Sequence, residues 1–203
     1  MKLILASNNG KKLKELKEIL GDMGVEVLSQ SEAGLKLEVE ETGTTFAENA
    51  LLKAEGAAKA LGLPAIADDS GLVVEALGGA PGVYSARYGG PGLDDTQRYE
   101  LLLKNMEHEE NRAAKFVSSI ACVFPGGDVL TAEGTCGGEI LRHPVGDGGF
   151  GYDPVFLPKG KDKSMAQLTP EEKNAISHRG NALRAFRVKL EDYLKRGTTH
   201  ADK

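Results

Sequence analysis

Pro64-Ala65-Ile66-Ala67-Asp68-Asp69-Ser70-Gly71-Leu72-Val73-Val74 sets two adjacent carboxylates between two apolar runs. Neighbouring Asp side chains repel each other, so a cation, a shared proton or solvation has to relieve them. Read alone, the Asp68 to Gly71 segment is a polar turn between two short strands, since Asp, Ser and Gly all favour turns. The competing reading is a site for a divalent cation and proton transfer. The rest of the chain decides between them.

Upstream, Lys2 to Ala6 reads as a buried strand and Ser7 to Gly10 as a turn. Lys11 to Leu20 is expected to be a helix with Leu13, Leu16, Ile19 and Leu20 on one stripe, ended by Gly21. A second strand over Val25 to Leu28 makes the opening β-loop-α-β. The alternation of Leu35, Leu37 and Val39 with Lys36, Glu38 and Glu40 is strand-like. Thr45 and Glu48 have capping-box spacing and open a helix to Leu61, with Ala47, Ala50, Leu51, Ala54, Ala58 and Leu61 inward. Downstream, a long loop over Gly78 to Gly92 leads to a helix from about Asp94 to Met106. Two strands follow, Ala113 to Phe124 and Val129 to Leu141, joined by the hairpin turn Pro125-Gly126-Gly127-Asp128. Thr169-Pro170 starts a short helix, and a last helix spans about Ser177 to Arg196. The fold class is therefore α/β, one domain over 1–197, with a polar tail at 198–203 expected to be disordered.

Composition excludes several classes. The 203 residues are 40% hydrophobic and 27% charged, enough to bury a core without staples. The net charge of −5 argues against a general nucleic-acid binder. No stretch is long and apolar enough to act as a signal peptide or membrane span. Cys122 and Cys136 lie in strands without metal-ligand spacing and read as reduced thiols of a cytoplasmic protein.

Ser7, Asn8, Asn9, Gly10, Lys11 and Lys12 join a strand to a helix N-terminus, where backbone N–H groups, amide side chains and lysines favour an anion. The plain alternative is that the Asn residues only cap the helix. The segment lacks the glycine and Lys-Ser/Thr spacing of a Walker loop. Glu41, at a strand-to-helix junction, could share magnesium with Asp68 or Asp69, because magnesium takes one or two carboxylates plus phosphate oxygens. Asn49 and Lys53 lie one helical turn apart at the edge of the apolar stripe, and Lys53 reads equally as a surface lysine and a phosphate partner. Phe150, Gly151, Tyr152 and Asp153 place an aromatic among glycines, able to lie on a base or to sit in a core. Lys173, Ser177, His178 and Arg179 offer donors for a purine carbonyl, or merely decorate a surface.

Taken together, this ordered set resembles the inosine/xanthosine triphosphate pyrophosphatases, enzymes that remove deaminated purine nucleotides. The motifs carrying it are Ser7-Asn8-Asn9 with Lys12, Glu41-Thr42-Gly43 with Phe46, and Glu48-Asn49-Ala50 with Lys53. Ala67 to Leu72, Gly78 to Gly82, Ser85 to Tyr88, Phe150 to Asp153 and Ser177 to Arg179 complete it. The resemblance implies a two-lobed fold around a long mixed sheet with a cleft between lobes, a homodimer, and a need for Mg²⁺. It implies that Ser7 to Lys12 hold the triphosphate, with Lys53 a further phosphate contact, and that Glu41 and Asp69 lie at the metal. Asp69 is the implied proton acceptor, and on sequence alone Asp68 has an equal claim to share that task. Ser70, Phe150, Gly151, Tyr152, Asp153, Lys173, His178 and Arg179 are the implied nucleotide contacts. The alternatives are a related pyrophosphatase for pyrimidine or methylated nucleotides, and a nucleotide-binding module without turnover.

Overall fold

The computed structural model describes residues 1–198. Its strands are β1 (Lys2–Leu5), β2 (Glu26–Ser29), β3 (Ala65–Val74), β4 (Ala113–Val123), β5 (Val129–Ile140) and β6 (Phe156–Pro158). Its α-helices are α1 (Gly10–Leu20), α2 (Phe46–Leu61), α3 (Asp95–Asn105), α4 (Pro170–Ile176) and α5 (His178–Thr198). The strands form one mixed six-stranded sheet in the order β2-β1-β3-β4-β5-β6, as the α/β reading requires. The tail expectation falls on residues 199–203, which lie outside the described residues, while Thr198 still belongs to α5.

The chain divides into two compact units. The first holds residues 1–69, 119–133 and 182–198. Its strands alternate faces, because side chains on a strand point to opposite sides every second residue. Leu3 and Leu5, Ile66, and Ile120 and Cys122 share one core with Leu16 and Leu20 of α1 and Leu183, Phe186 and Leu190 of α5. Ile4, Ala65 and Ala67, and Ala121 and Val123 share the opposite core with Ala50, Ala54, Ala57 and Ala58 of α2. The alanine face lets α2 sit close on the sheet. β1 pairs in parallel with both β2 and β3, the arrangement that a β-loop-α-β opening needs.

The second unit holds Ser70–Ser118 and Gly134–Asn181. Its core gathers Leu72 and Val74 of β3, Leu102 and Met106 at α3, Phe116, Ile140 and Phe156. Phe116 and Phe156 meet with ring centroids 4.6 Å apart. β6 pairs antiparallel with β5, and Gly138 opposes Pro158. A Cβ at Gly138 would collide with the Leu157 carbonyl oxygen, so the pairing there admits only glycine.

Several expectations are corrected. The Asp pair is not in a turn: β3 runs unbroken through Asp68, Asp69, Ser70 and Gly71. Sheet pairing overrides the weak strand preference of these residue types. Leu35 to Glu40 is not a strand, although its exposure does alternate. It is extended chain laid on α2, where Gly56 has no side chain and a Cβ would come within 2.9 Å of Val39 and 3.2 Å of Leu37. Gly21 does cap the end of α1, as expected, and a separate 3₁₀ turn over Gly21–Met23 follows it, closing at Gly24 with φ 68°. Ala47 faces solvent, and Ala57 takes an inward place instead. The capping box at Thr45/Glu48, the Thr169 cap with Pro170 behind it, and the Phe124 to Asp128 turn all form as expected.

Both cysteines are free and buried. Burial pushes the Cys122 thiol up to about 12. Burial, and then the Asp153 carboxylate, raise that of Cys136. An unfolded thiol titrates near 8.5, so between about pH 9 and 12 the unfolded chain releases a proton that the folded chain keeps. Stability therefore falls as pH rises through that window. Urea midpoints should drop from pH 8.5 to 10, and Cys122→Ala should flatten that slope despite its lower stability throughout. At pH 8 a thiol reagent should label neither cysteine of the native protein, and both once it is denatured.

Candidate functional site

Each unit carries one cluster of the singled-out residues. In the first unit, Asn9 is the N-cap of α1, its Oδ1 accepting from the N–H groups of Lys11 (3.0 Å) and Lys12 (3.2 Å). The capping reading of Asn9 is therefore right as far as it goes. Asn8 Oδ1 accepts from the Ser31 amide and hydroxyl, and Ser7 Oγ accepts from Asn9 N. Each oxygen is thus engaged, that of Asn8 by the turn after β2 and those of Ser7 and Asn9 locally, and the amide nitrogens of Asn8 and Asn9 sit on an exposed turn. Gly10 has ordinary helical backbone and open space where a Cβ would go, so nothing in the chain itself demands glycine there.

The Asp pair is split between two lysines from two helices. Lys12 Nζ bonds Asp68 Oδ2 at 2.9 Å, and Asp68 is buried. Lys53 Nζ, on α2, donates to Glu41 Oε1 at 3.1 Å and to the Asp68 carbonyl at 2.8 Å, and lies 3.8 Å from Asp69 Oδ1. β3 makes this split possible, because neighbouring residues of an unbroken strand face opposite ways. One ammonium thus gathers two carboxylates, with Glu41 28% and Asp69 12% exposed. Among the described residues no group of three or more His, Cys, Asp or Glu is arranged to hold a metal ion unaided.

Glu41 owes its place to a residue whose part the sequence did not reveal. Asn49 was expected at the edge of the α2 stripe, and it is wholly buried. Its Oδ1 accepts from Gly43 N at 2.8 Å, which ties the Glu41-Thr42-Gly43 loop to α2. A Cβ on Gly43 would come 2.6 Å from Asn49 Oδ1 and 2.7 Å from Glu48 Cβ, so the tie needs glycine.

In the second unit, Phe150 is 64% exposed, with the Lys173 ammonium 4.4 Å from its ring centroid. Lys173 also pairs with buried Asp153 at 2.5 Å, and Asp153 Oδ2 accepts from Phe150 N at 3.1 Å. Tyr152 is a core residue whose hydroxyl donates to the Ser85 carbonyl at 2.7 Å, and burial raises its pKa. Gly151 has φ 59°, a left-handed conformation that suits glycine. His178 stacks on Phe116 at 5.0 Å between centroids, and Arg179 is half-buried beside it in the first turn of α5. Ser70 Oγ meets Ser118 Oγ at 3.1 Å. The structure therefore joins Phe150, Asp153 and Lys173 directly, and sets His178 on the same core as Tyr152.

Against this geometry, the model of the Ham1 family matches residues 3–189. The chain belongs to the Ham1 family. Among its relatives, the dITP/XTP pyrophosphatase of Bacillus subtilis (strain 168) is 50% identical over 190 residues, covering 93% of this chain and 96% of its own. That of Aquifex aeolicus (strain VF5) is 53% identical over 193 residues, covering 91% and 94%. The solved Ham1 protein of Staphylococcus aureus is 45% identical with a TM-score of 0.90, over 95% of this chain and 100% of that one. The Ham1 protein of Coxiella burnetii gives 43% and 0.91, over 95% and 99%.

The two Asp residues should separate in a stability measurement. Asp68→Asn discards the buried partner of Lys12 and should cost about 1–3 kcal/mol. Asp69→Asn removes one of two carboxylates crowded on Lys53 and should change stability by less than about 1 kcal/mol. Urea unfolding of both variants at pH 7 without added metal checks this ordering.

Proposed function

We propose that this Ham1-family chain hydrolyses deaminated purine nucleoside triphosphates, those of inosine, deoxyinosine and xanthosine, to nucleoside monophosphate and pyrophosphate. The observation that carries the reading is the pair of carboxylates on Lys53, with the second Asp held apart by Lys12. A site that only bound phosphate would gain nothing from a carboxylate pair, whereas hydrolysis needs a metal and a base. The name dITP/XTP pyrophosphatase borne by relatives at about half identity supports the substrate class.

Glu41 and Asp69 suit magnesium: both are hard oxygen donors, partly open, and too few to hold an ion alone. That is the pattern of an ion completed by substrate phosphate and water. When bound, the ion neutralises charge that builds on the phosphate oxygens as pyrophosphate leaves.

The chain's own residues do the rest. The start of α1, the Asn8 and Asn9 amides, Lys11 and Lys12 receive the triphosphate, and the space above Gly10 lets an oxygen approach the backbone. Lys53 adds positive charge beside the phosphates. Asp69 takes the proton of the attacking water, because Asp68 is already committed to Lys12. The bond from the α-phosphorus to its bridging oxygen breaks as the new one forms. In the second unit, the exposed Phe150 ring offers a face to the base, and His178 and Arg179 supply donors for the 6-carbonyl. Adenine presents an amino group there, which leaves such donors unpaired and disfavours it strongly. We read both units as one catalytic domain acting as a homodimer in the cytoplasm, the last in keeping with two unbridged thiols.

A panel of triphosphates with Mg²⁺ tests this. Inosine and xanthosine triphosphates should yield monophosphate plus pyrophosphate, with adenosine triphosphate turned over far more slowly. Orthophosphate as the inorganic product would contradict the reading, and so would tight binding without turnover. Asp69→Asn should lose about 10²–10⁴-fold in kcat, the scale for removing a general base. Activity within a few-fold of wild type would take Asp69 out of the mechanism.

A further inference from the structure

Asp95 belongs to none of the motifs read from the sequence, yet it bonds to the Phe150 loop. It is the first residue of α3, and its Oδ2 accepts from Gly151 N at 2.8 Å, across 56 positions of chain. An acid at a helix start ordinarily serves the helix. Here the neighbouring residue does that work: Asp94 is the N-cap, with a full capping box to Gln97. The Asp95 side chain is left to hold a distant loop, with the Arg98 guanidinium 3.9 Å away to keep it in place.

The bonded N–H belongs to the peptide that follows the Phe150 Cα, so Asp95 fixes that peptide plane and with it the direction of the Phe150 ring. The same peptide has a second tie, its Phe150 carbonyl accepting from Asp153 N at 3.2 Å, so Asp95 supplies the shorter of its two hydrogen bonds. Tyr152 is held by Ser85, and Phe150 N by Asp153 within the loop itself. Gly151 at φ 59° has two broad conformational regions open to it, so with the Asp95 bond lost only the longer Asp153 bond holds this peptide. Phe150, 64% exposed with the Lys173 ammonium against its ring, is less fixed by packing than the buried Tyr152 and Asp153.

We propose that Asp95 is a positioning residue for base binding, acting through the Gly151 amide on the Phe150 ring. The proposal rests on the reading of Phe150 as the base platform. Because the base is remote from the reacting phosphate, its contacts serve ground state and transition state alike and set KM rather than kcat.

Kinetics with inosine triphosphate test it in Asp95→Ala, Asp95→Asn, Phe150→Ala and the double variant. Asp95→Ala should raise KM roughly 5- to 10-fold, the worth of one hydrogen bond, with kcat nearly unchanged. Asp95→Asn keeps an acceptor oxygen and should recover most of the loss. Asp95→Ala should add nothing in the Phe150→Ala background. The chain has no tryptophan, so Phe150→Trp gives a single tryptophan that can be excited apart from the tyrosines; without nucleotide its anisotropy should fall with Asp95→Ala and hold with Asp95→Asn. If Phe150→Ala raises KM and Asp95→Ala does not, the Asp95 proposal is wrong and the platform stands. An equal rise in both backgrounds also overturns it, because Asp95 would then act elsewhere. If Phe150→Ala leaves KM unchanged, the platform falls and this proposal falls with it.

Discussion

Lys53 Nζ lies within 4 Å of two carboxylates and one main-chain carbonyl, and the first unit is arranged around that contact. Three successive segments meet there: the Glu41 loop, α2, and the middle of β3. Two carboxylates this close would repel each other without a cation between them. Burial raises the stakes, since a partly buried charge is costly to leave unmatched. Lys12 completes the arrangement from α1 by taking Asp68 out of the same neighbourhood.

The packing beneath this contact explains why it can exist. α2 presents Ala50, Ala54, Ala57 and Ala58 to the sheet, so its axis sits close enough for Lys53 to reach β3. The same helix buries Asn49, which spends its oxygen on Gly43 and holds the Glu41 loop down. The charged group and its scaffold are therefore not separable: an enlarged residue on the alanine face would lift Lys53 away from β3 before it touched any functional group.

Much of this was legible in the sequence, and the failures have physical causes. Capping boxes at Thr45 and Thr169 were readable because both partners lie three residues apart on the chain. The hairpin turn after Phe124 was readable for the same local reason. β3 was misread because Asp, Ser and Gly prefer turns locally, and what overrides them is pairing with strands distant in sequence. Leu35 to Val39 shows the converse error. Alternating exposure marks extended chain on an apolar surface, and that surface here is α2 rather than a neighbouring strand. Asn49 and Asp95 were missed as positioning groups because each bonds to a backbone N–H, and a backbone partner leaves no residue type to recognise. Glu41 and Asp69 were expected near each other as carboxylates that could share a cation, whereas the place of Lys53 between them was not, because its spacing fits a surface lysine and a phosphate partner equally.

The central claim is that the carboxylates gathered by Lys53 form the metal end of a phosphate site. A crystal structure with magnesium and an inosine triphosphate analogue, non-hydrolysable between the α and β phosphates, tests it most directly. The ion should lie about 2.0–2.1 Å from a carboxylate oxygen of Glu41 or Asp69, with phosphate oxygens completing its shell and Lys12 keeping its bond to Asp68 while donating to the phosphates. An ion held by phosphates and water alone, or by carboxylates elsewhere in the chain, would contradict it.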